Sequence, residues 1–182
     1  MWLIRHGAIE ATRADGTRAC IGWTDLALSE PTVTSAQMSA LAERLVGARE
    51  VISSDLVRAS QTAQMLADVL GVPVRREPRL RELHFGDWEG RTWPEVEAQD
   101  PTGYWAFMEA WETCPTPGGE SYHALQARVA SWFAQANGDE IVVAHHGSLR
   151  ALAGLCGVSD AMAWTWAYGQ GREIEALTGA PI

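Results

Sequence analysis

The sequence predicts an α/β fold, a three-layer sandwich in which a largely parallel sheet carries helices on both faces. Short apolar segments alternate along the chain with segments of helical periodicity. The apolar segments are uniformly apolar, which is typical of strands that are buried on both faces. The 182 residues, of which 47% are hydrophobic, suit one domain with a substantial core. We therefore expect residues 1–182 to form a single domain.

The first half of the chain alternates strand and helix. Residues 2–4 are an apolar run that ends at a charged residue, which predicts a buried strand. A helix is expected to open at residues 29–31, where serine is a candidate cap and proline suits the first turn. Residues 51–54 predict the second strand, and the helix that follows it is expected to end at Gly71. Residues 72–74 predict only an edge strand, because their proline cannot donate to a ladder.

The second half contains the least regular part of the sequence. Residues 79–119 are rich in tryptophan and lack a long period, so we expect loops and short helices that form a small cap inserted over a site. Residues 121–136 predict a helix, residues 141–144 a buried strand and residues 148–156 a further helix. Residues 164–177 predict a hairpin around a glycine-rich turn.

Charge and composition argue against several classes of protein. Asp and Glu number 23 against 14 Lys and Arg, and the net charge of −9 disfavours nucleic-acid and anionic-membrane partners. The sequence shows no signal-peptide core and no apolar run of 18 residues. Cys20, Cys114 and Cys156 are widely spaced and predict reduced thiols, although one disulfide is formally possible. We therefore expect a cytoplasmic protein, and nothing in the sequence indicates its oligomeric state.

Basic and imidazole side chains follow three of the predicted strands. Arg5 and His6 end the first strand, Arg58 falls in the first turn after the second, and His145 and His146 end the later central strand. In parallel sheets ligands bind at the carboxyl ends of the strands. Guanidinium groups and helix N-termini both bind phosphate oxygens, so these ends predict a site for one phosphate. The two arginines should keep His6 neutral, which is its nucleophilic form.

Less specific interpretations compete with this one. A single histidine after a strand is more often a hydrogen-bonded structural residue. Adjacent residues on an extended chain point in opposite directions, and no cluster of Cys or carboxylates completes a ligand set beside His145 and His146. We therefore expect no metal and no cofactor. Five tryptophans of the loop-rich regions are candidates either for stacking on a flat aromatic group or for core packing: Trp23, Trp88, Trp93, Trp105 and Trp111.

Four stretches of the sequence match the motifs of one known family in order and spacing. They are Leu3–Gly7, Ser53–Ala63, Leu80–Gly90 and Val142–Arg150. On these motifs the chain resembles the histidine phosphatase superfamily, which has the phosphoglycerate-mutase-like fold. The resemblance covers nearly the whole chain.

The resemblance implies a role for each matching residue. His6 would attack phosphorus and become phosphohistidine, while Arg5, Arg58 and His145 would bind the transferring phosphoryl group. Glu82 would protonate the leaving oxygen and then activate water. These roles agree with the needs of phosphoryl transfer, in which alignment and charge stabilisation dominate.

The chain also departs from the family pattern. His146 stands where relatives commonly have glycine, so it either disturbs the backbone beside the phosphate or adds a phosphate-binding donor there. Ala8 and Ile9 replace a frequent Glu-Thr pair. An inactive relative that binds a phosphorylated ligand or partner is therefore an alternative to an enzyme.

The predicted substrate is a small-molecule phosphate ester. The chain has little room for the additional segments of the family's mutases, so hydrolysis is favoured. Cys20–Asp25 and Pro117–Ser121 are similar to stretches of the α-ribazole phosphatase branch, which acts in cobalamin synthesis. The preferred substrate is thus α-ribazole 5′-phosphate, and the alternatives are a broad-specificity phosphatase and a mutase-like enzyme.

Overall fold

In the computed structural model, the chain is described over residues 1–45, 47–159, 161, 165 and 167–174. Within these residues, five strands form one sheet in the order β3-β2-β4-β1-β5. The first four strands are parallel, and β5 runs antiparallel to β1, so the predicted largely parallel sheet is confirmed. The strands are β1 (Trp2–Arg5), β2 (Val51–Ser53), β3 (Val74–Arg76), β4 (Ile141–Ala144) and β5 (Gly171–Glu173).

Helices cover both faces of this sheet. They are α1 (Pro31–Ala42), α2 (Val57–Leu70), α3 (Trp93–Gln99), α4 (Pro101–Ala110), α5 (Tyr122–Phe133) and α6 (His146–Leu155), with short 3₁₀ turns at Pro78–Leu80 and Gly86–Trp88. Ile4 and Val143 pack in the cluster that contains the buried faces of α1 and α2. Leu3 and Val142 point the other way, into the cluster of α5 and α6. The three-layer arrangement predicted from the sequence is therefore confirmed.

Several predicted boundaries are shifted. Helix α1 begins at Pro31, but its cap residue is Glu30 without a side-chain capping bond, so the predicted serine cap is wrong. Strand β3 begins just after Pro73, where backbone N–H groups are again available. Helix α6 begins at His146, two residues earlier than predicted. The backbone is still extended at His145, and the helix follows that residue directly. Gly71 ends α2 in the left-handed conformation, as predicted.

The C-terminal hairpin can be followed only in part. Strand β5 pairs with β1, with Leu3 opposite Arg172. Residues 164, 166 and 175–177 of the predicted hairpin lie outside the described residues.

Two of the predicted absences can be examined directly. All three cysteines are free thiols, so no disulfide links them. Over the part of the chain that the structure describes, no helix is long and apolar enough to cross a membrane.

Candidate active site

The sheet brings three strand ends together at one edge. Strands β1 and β2 both pair in parallel with β4, so the residues that follow them lie side by side. The N–H of His6 donates to the carbonyl of Ala144 at 3.1 Å, and that of Ser54 donates to the carbonyl of Val143 at 3.0 Å. The rings of His6 and His145 consequently lie 5.0 Å apart, and Nε2 of His145 is 2.9 Å from Oγ of Ser54.

A tight turn fixes the tautomer of His6. Its Nδ1 lies 2.7 Å from the carbonyl oxygen of Gly7. Because a carbonyl only accepts hydrogen bonds, Nδ1 carries the proton and Nε2 keeps its lone pair. Residue 7 must be glycine, since a Cβ there would lie 2.1 Å from Oγ1 of Thr34. The Gly7 N–H also donates to Oγ1 of Thr62 at 3.0 Å, which anchors the turn on α2.

Burial keeps the two histidines neutral. The pKa of His6 lies well below its ordinary value, first because of burial and then because of the positive charge of Arg58, with a smaller effect from Arg5. Burial also lowers the pKa of His145, which is fully buried. The sequence predicted a neutral His6 from the arginines alone, whereas the structure makes burial the larger cause.

These neutral histidines make stability depend on pH. The unfolded chain takes up protons near pH 6.5, while buried His6 and His145 do not, so stability is present above that pH and is lost as the pH falls. Each histidine is expected to lower the free energy of unfolding by about 1.4 kcal/mol per pH unit below 6.5. Urea unfolding at pH 7.5, 6.5 and 5.5 measures this slope. Because His146, whose pKa is lowered to about 4, contributes to the slope as well, His145→Gln is expected to remove about one third of it. A free energy that stays constant over this range would contradict the assignment.

Arg58 is the most buried cation of the site. Its side chain extends from the first turn of α2 and is 1% exposed. Nη1 donates to the carbonyl of Thr24 at 2.9 Å and Nη2 to that of Gly22 at 2.6 Å. These bonds fix the plane of the guanidinium fork. Among the described residues, no carboxylate lies within ion-pair distance of Arg58, so its charge is available to an anion.

The loop that carries those two carbonyls is held by Glu89. The carboxylate accepts hydrogen bonds from the N–H groups of Gly22, Trp23 and Thr24 at 3.0, 2.6 and 3.0 Å, and from the Thr24 hydroxyl at 2.6 Å. Burial raises the pKa of Glu89, but these bonds outweigh it and leave the pKa below its usual value. Sequence reasoning missed this role, although Glu89 lies in the third family motif.

Glu82 lies beside the start of α6. Its Oε1 accepts hydrogen bonds from the N–H groups of Leu83 and Gly147, both at 3.0 Å. A Cβ at residue 147 would lie 2.4 Å from this oxygen, so any side chain there would displace the carboxylate. The backbone carbonyl of Glu82 accepts from Nη2 of Arg128 and from Nε1 of Trp23, both at 2.8 Å. Hydrogen bonds to the side chain and to the backbone carbonyl of Glu82 thus fix the position of its carboxylate.

His146 occupies the first position of α6 and lines a cavity beside Glu82. Burial, assisted by the positive charges of Arg150 and Arg5, lowers the pKa of His146 to about 4. The imidazole is therefore neutral at pH 7 and can either donate or accept a hydrogen bond. That His146 binds phosphate, as its position in the motif suggested, stays a prediction.

Tyr168 is a neighbour of the site that sequence reasoning missed. The guanidinium carbon of Arg5 lies 4.1 Å from the centre of the Tyr168 ring, and the His6 ring lies 5.5 Å from it. The phenol accepts from Nη2 of Arg18 at 2.9 Å. The next residue, Gly169, donates its N–H to the carbonyls of both Arg5 and His6 at 3.1 Å. The available signal was an aromatic residue beside the glycine turn that precedes the last strand.

The residues predicted for the site therefore lie along one edge of the sheet. The sequence also predicted that they bind no metal ion, which depends on the groups around them. In the described part of the chain, no group of three His, Cys, Asp or Glu side chains is arranged to hold a metal ion. The positive charge at this edge comes from guanidinium groups and from N–H groups at the start of α6. The arrangement is suited to binding a small tetrahedral anion next to an imidazole lone pair.

Comparisons with known proteins agree with this geometry. The family model of the histidine phosphatase superfamily (branch 1) matches residues 1–175. The adenosylcobalamin/alpha-ribazole phosphatase of Salmonella typhimurium is 29% identical over 177 residues, which cover 94% of this chain and 86% of that protein. The glucosyl-3-phosphoglycerate phosphatase of Mycolicibacterium vanbaalenii is 34% identical over 164 residues, covering 82% and 69%. The crystal structure of the alpha-ribazole phosphatase from Shigella flexneri has a TM-score of 0.80 at 28% identity, covering 93% and 87%.

These similarities confirm the predicted fold and the predicted enzyme class, a phosphatase. The relatives differ in the substrates that their names give, so they support a class of reaction and leave the substrate open. The family model extends over all four sequence motifs and all the residues at the sheet edge. The chain belongs to branch 1 of the histidine phosphatase superfamily.

Proposed function

We propose that this protein hydrolyses small-molecule phosphomonoesters through a phosphohistidine at His6. One observation carries the proposal: the Nδ1–H of His6 bonds to the Gly7 carbonyl, which leaves Nε2 as a free nucleophile beside the buried charge of Arg58. Arg5 and His145 complete the set of side chains that bind the phosphoryl group. Among the described residues, the buried Nδ1 atom of His145 has no hydrogen-bond partner, and it is suited to a phosphoryl oxygen.

In the first step, the lone pair of Nε2 forms a bond to phosphorus while the bond from phosphorus to the ester oxygen breaks. Arg5 and Arg58 stabilise the charge on the equatorial oxygens. The departing oxygen takes a proton from the Glu82 carboxyl, and the free alcohol leaves.

In the second step, Glu82 works in the opposite direction. The carboxylate removes a proton from water, and the water oxygen attacks phosphorus in line with the bond to Nε2. That bond breaks, inorganic phosphate is released, and both His6 and Glu82 return to their starting forms. The N–H groups of Leu83 and Gly147 hold the carboxylate between the two events.

The substrate that we propose is α-ribazole 5′-phosphate. The proposal is supported by the names of two relatives, in Salmonella typhimurium and Shigella flexneri, and by the matching stretches Cys20–Asp25 and Pro117–Ser121. Glucosyl-3-phosphoglycerate is the second candidate, because the relative in Mycolicibacterium vanbaalenii that carries this name has the higher identity. A mutase-like activity and an inactive ligand-binding relative are the remaining alternatives.

Two further features belong to this proposal. Residues 79–119 act as a cap, an assignment supported by the side chains that they contribute to the cavity beside Glu82. The proposal places the protein in the cytoplasm. Its acidic charge disfavours nucleic-acid and anionic-membrane partners.

The test is release of inorganic phosphate from α-ribazole 5′-phosphate, glucosyl-3-phosphoglycerate and 3-phosphoglycerate, each with and without EDTA. We expect the highest kcat/KM on α-ribazole 5′-phosphate and no loss in EDTA, because arginines supply the positive charge that a metal would otherwise provide. Transfer of phosphate between hydroxyl groups without release would favour the mutase. Binding without turnover would favour the inactive relative, and a loss in EDTA that a divalent ion restores would refute the metal-free mechanism.

Tyr168 provides a further prediction about this site. Its ring face attracts the Arg5 cation and packs beside the nucleophile, so Tyr168→Leu is expected to slow phosphorylation of His6 by about 3- to 30-fold. Tyr168→Phe keeps the ring and is expected to stay within about twofold of the wild type. Single-turnover rates and the Tm of each variant are the measurements. Equal losses in both variants would assign the effect to the phenol and its bond to Arg18 instead of the ring.

A further inference from the structure

A mainly apolar cavity of about 250 Å³ lies beside the Glu82 carboxylate. Its walls include six apolar or aromatic side chains: Leu83, Phe85, Trp93, Phe107, Trp111 and Tyr122. The polar lining comes from Glu82, His146 and Arg150. Glu82 bonds to the N–H of Gly147, two residues after His145, and both residues line the cavity, so the cavity adjoins the Glu82 end of the proposed phosphoryl site.

The aromatic walls are held by contacts with one another. Trp93 stacks on Phe107 with the ring centres 6.1 Å apart, and buried Trp88 meets both of them edge-on at 6.2 and 5.3 Å. On the other side, the rings of Trp111 and Tyr122 lie 5.0 Å apart. These contacts fix the aromatic walls against one another, as expected of a preformed binding site.

The chemistry of these walls constrains the occupant. Hydroxyl groups buried against aromatic faces would lose hydrogen bonds to water without replacement, which disfavours a sugar or a glycerate. A flat ring would instead bury its apolar surface against the tryptophans. A cavity of about 150 Å³ accommodates benzene, so this one has room for one or two fused rings.

We infer that this cavity binds the alcohol half of the phosphate ester and selects uncharged alcohols that carry a one- or two-ring aromatic group. The inference rests on the proposed function, because it needs phosphorus at His6 and the ester oxygen at Glu82. It adds the part of the protein that discriminates among esters, namely the aromatic walls that residues 83–122 contribute to the cavity.

Three primary alkyl esters with similar leaving groups test this selection: 2-(1-naphthyl)ethyl phosphate, 2-hydroxyethyl phosphate and 3-phosphoglycerate. The expected result is a kcat/KM for the naphthyl ester at least about tenfold above those of the other two. The free alcohol, 2-(1-naphthyl)ethanol, is expected to inhibit competitively. This inhibition reports binding in the cavity by a molecule that has no phosphate.

Trp111 and Trp105 form a matched pair of variants. Trp111 lines the cavity, whereas Trp105 is 54% exposed and does not. Trp111→Ala is expected to lower kcat/KM for the naphthyl ester about tenfold and to leave the hydroxyethyl ester within twofold. Trp105→Ala is expected to change neither value. Trp111→Leu keeps the site apolar and serves as the second variant if the alanine variant unfolds.

The outcomes separate the two levels of the proposal. No phosphate release from any of the esters would refute the proposed function. Release without preference for the ring, or preference for 3-phosphoglycerate through the Arg150 cation, would overturn the inference and leave the phosphatase standing.

Discussion

His6→Ala is expected to abolish phosphate release, because the variant lacks the nitrogen that bonds to phosphorus. The wild type, quenched during turnover, is expected to carry phosphate on His6 that is stable in base and labile in acid. Peptide mapping after a quench in base, with radiolabelled substrate, locates the label. The expectation follows from a nucleophile that the Gly7 carbonyl orients at 2.7 Å and that burial keeps neutral.

A matched histidine variant controls for general damage to the fold. His123 is exposed on α5, and His123→Ala is expected to retain full activity. Substantial turnover by His6→Ala, or label on another residue, would refute the phosphohistidine mechanism.

Glu82→Gln and Arg58→Ala are expected to fail in different ways. Glutamine cannot donate a proton to a departing alkoxide, so alkyl esters should lose about 10²–10⁴-fold in the rate of His6 phosphorylation. An aryl ester such as p-nitrophenyl phosphate needs little protonation and should lose much less. Arg58→Ala removes charge stabilisation that every ester uses, so both types of ester should fall together.

Single-turnover measurements are required for this comparison. Breakdown of the phosphohistidine also depends on Glu82 as a base, and at steady state that step would hide the difference between the esters. Equal losses for both esters in Glu82→Gln would make this carboxylate structural and would leave the proton donor to be sought among the other groups of the cavity.

The strand ends were predictable because their signal is local. Apolar runs stop abruptly at Arg5 and at His145, and a parallel sheet then places both at one edge. Glu82 was identified only through the family resemblance. It lies in a loop between two short 3₁₀ turns, so no periodicity marks it.

Contacts between distant parts of the chain were beyond the reach of the sequence. Arg128 supports Glu82 from 46 residues away, and nothing in either local pattern links the two. Of the five tryptophans that were candidates for stacking or for core packing, Trp93 and Trp111 line the cavity, while the other three have different surroundings. Trp88 is in the core, Trp105 is exposed and Trp23 stacks on His84. The sequence shows how many tryptophans the cap region contains, but only the packing of that region determines which ring faces line the cavity.

The hydrogen bonds of Arg58 have a consequence for thermal tolerance. The Arg58 guanidinium is buried against carbonyl oxygens, and no carboxylate of the described residues lies at ion-pair distance. Such a charge favours catalysis and disfavours folding of the protein without a bound anion. A bound phosphate dianion would relieve that imbalance, and at 100 times its Kd it would add about 2.7 kcal/mol to stability. The Tm should therefore be higher in phosphate than in a buffer of the same pH that contains no phosphate. Arg58→Met should melt at or above the wild-type temperature and respond less to phosphate than the wild type, as expected where stability is given up for activity.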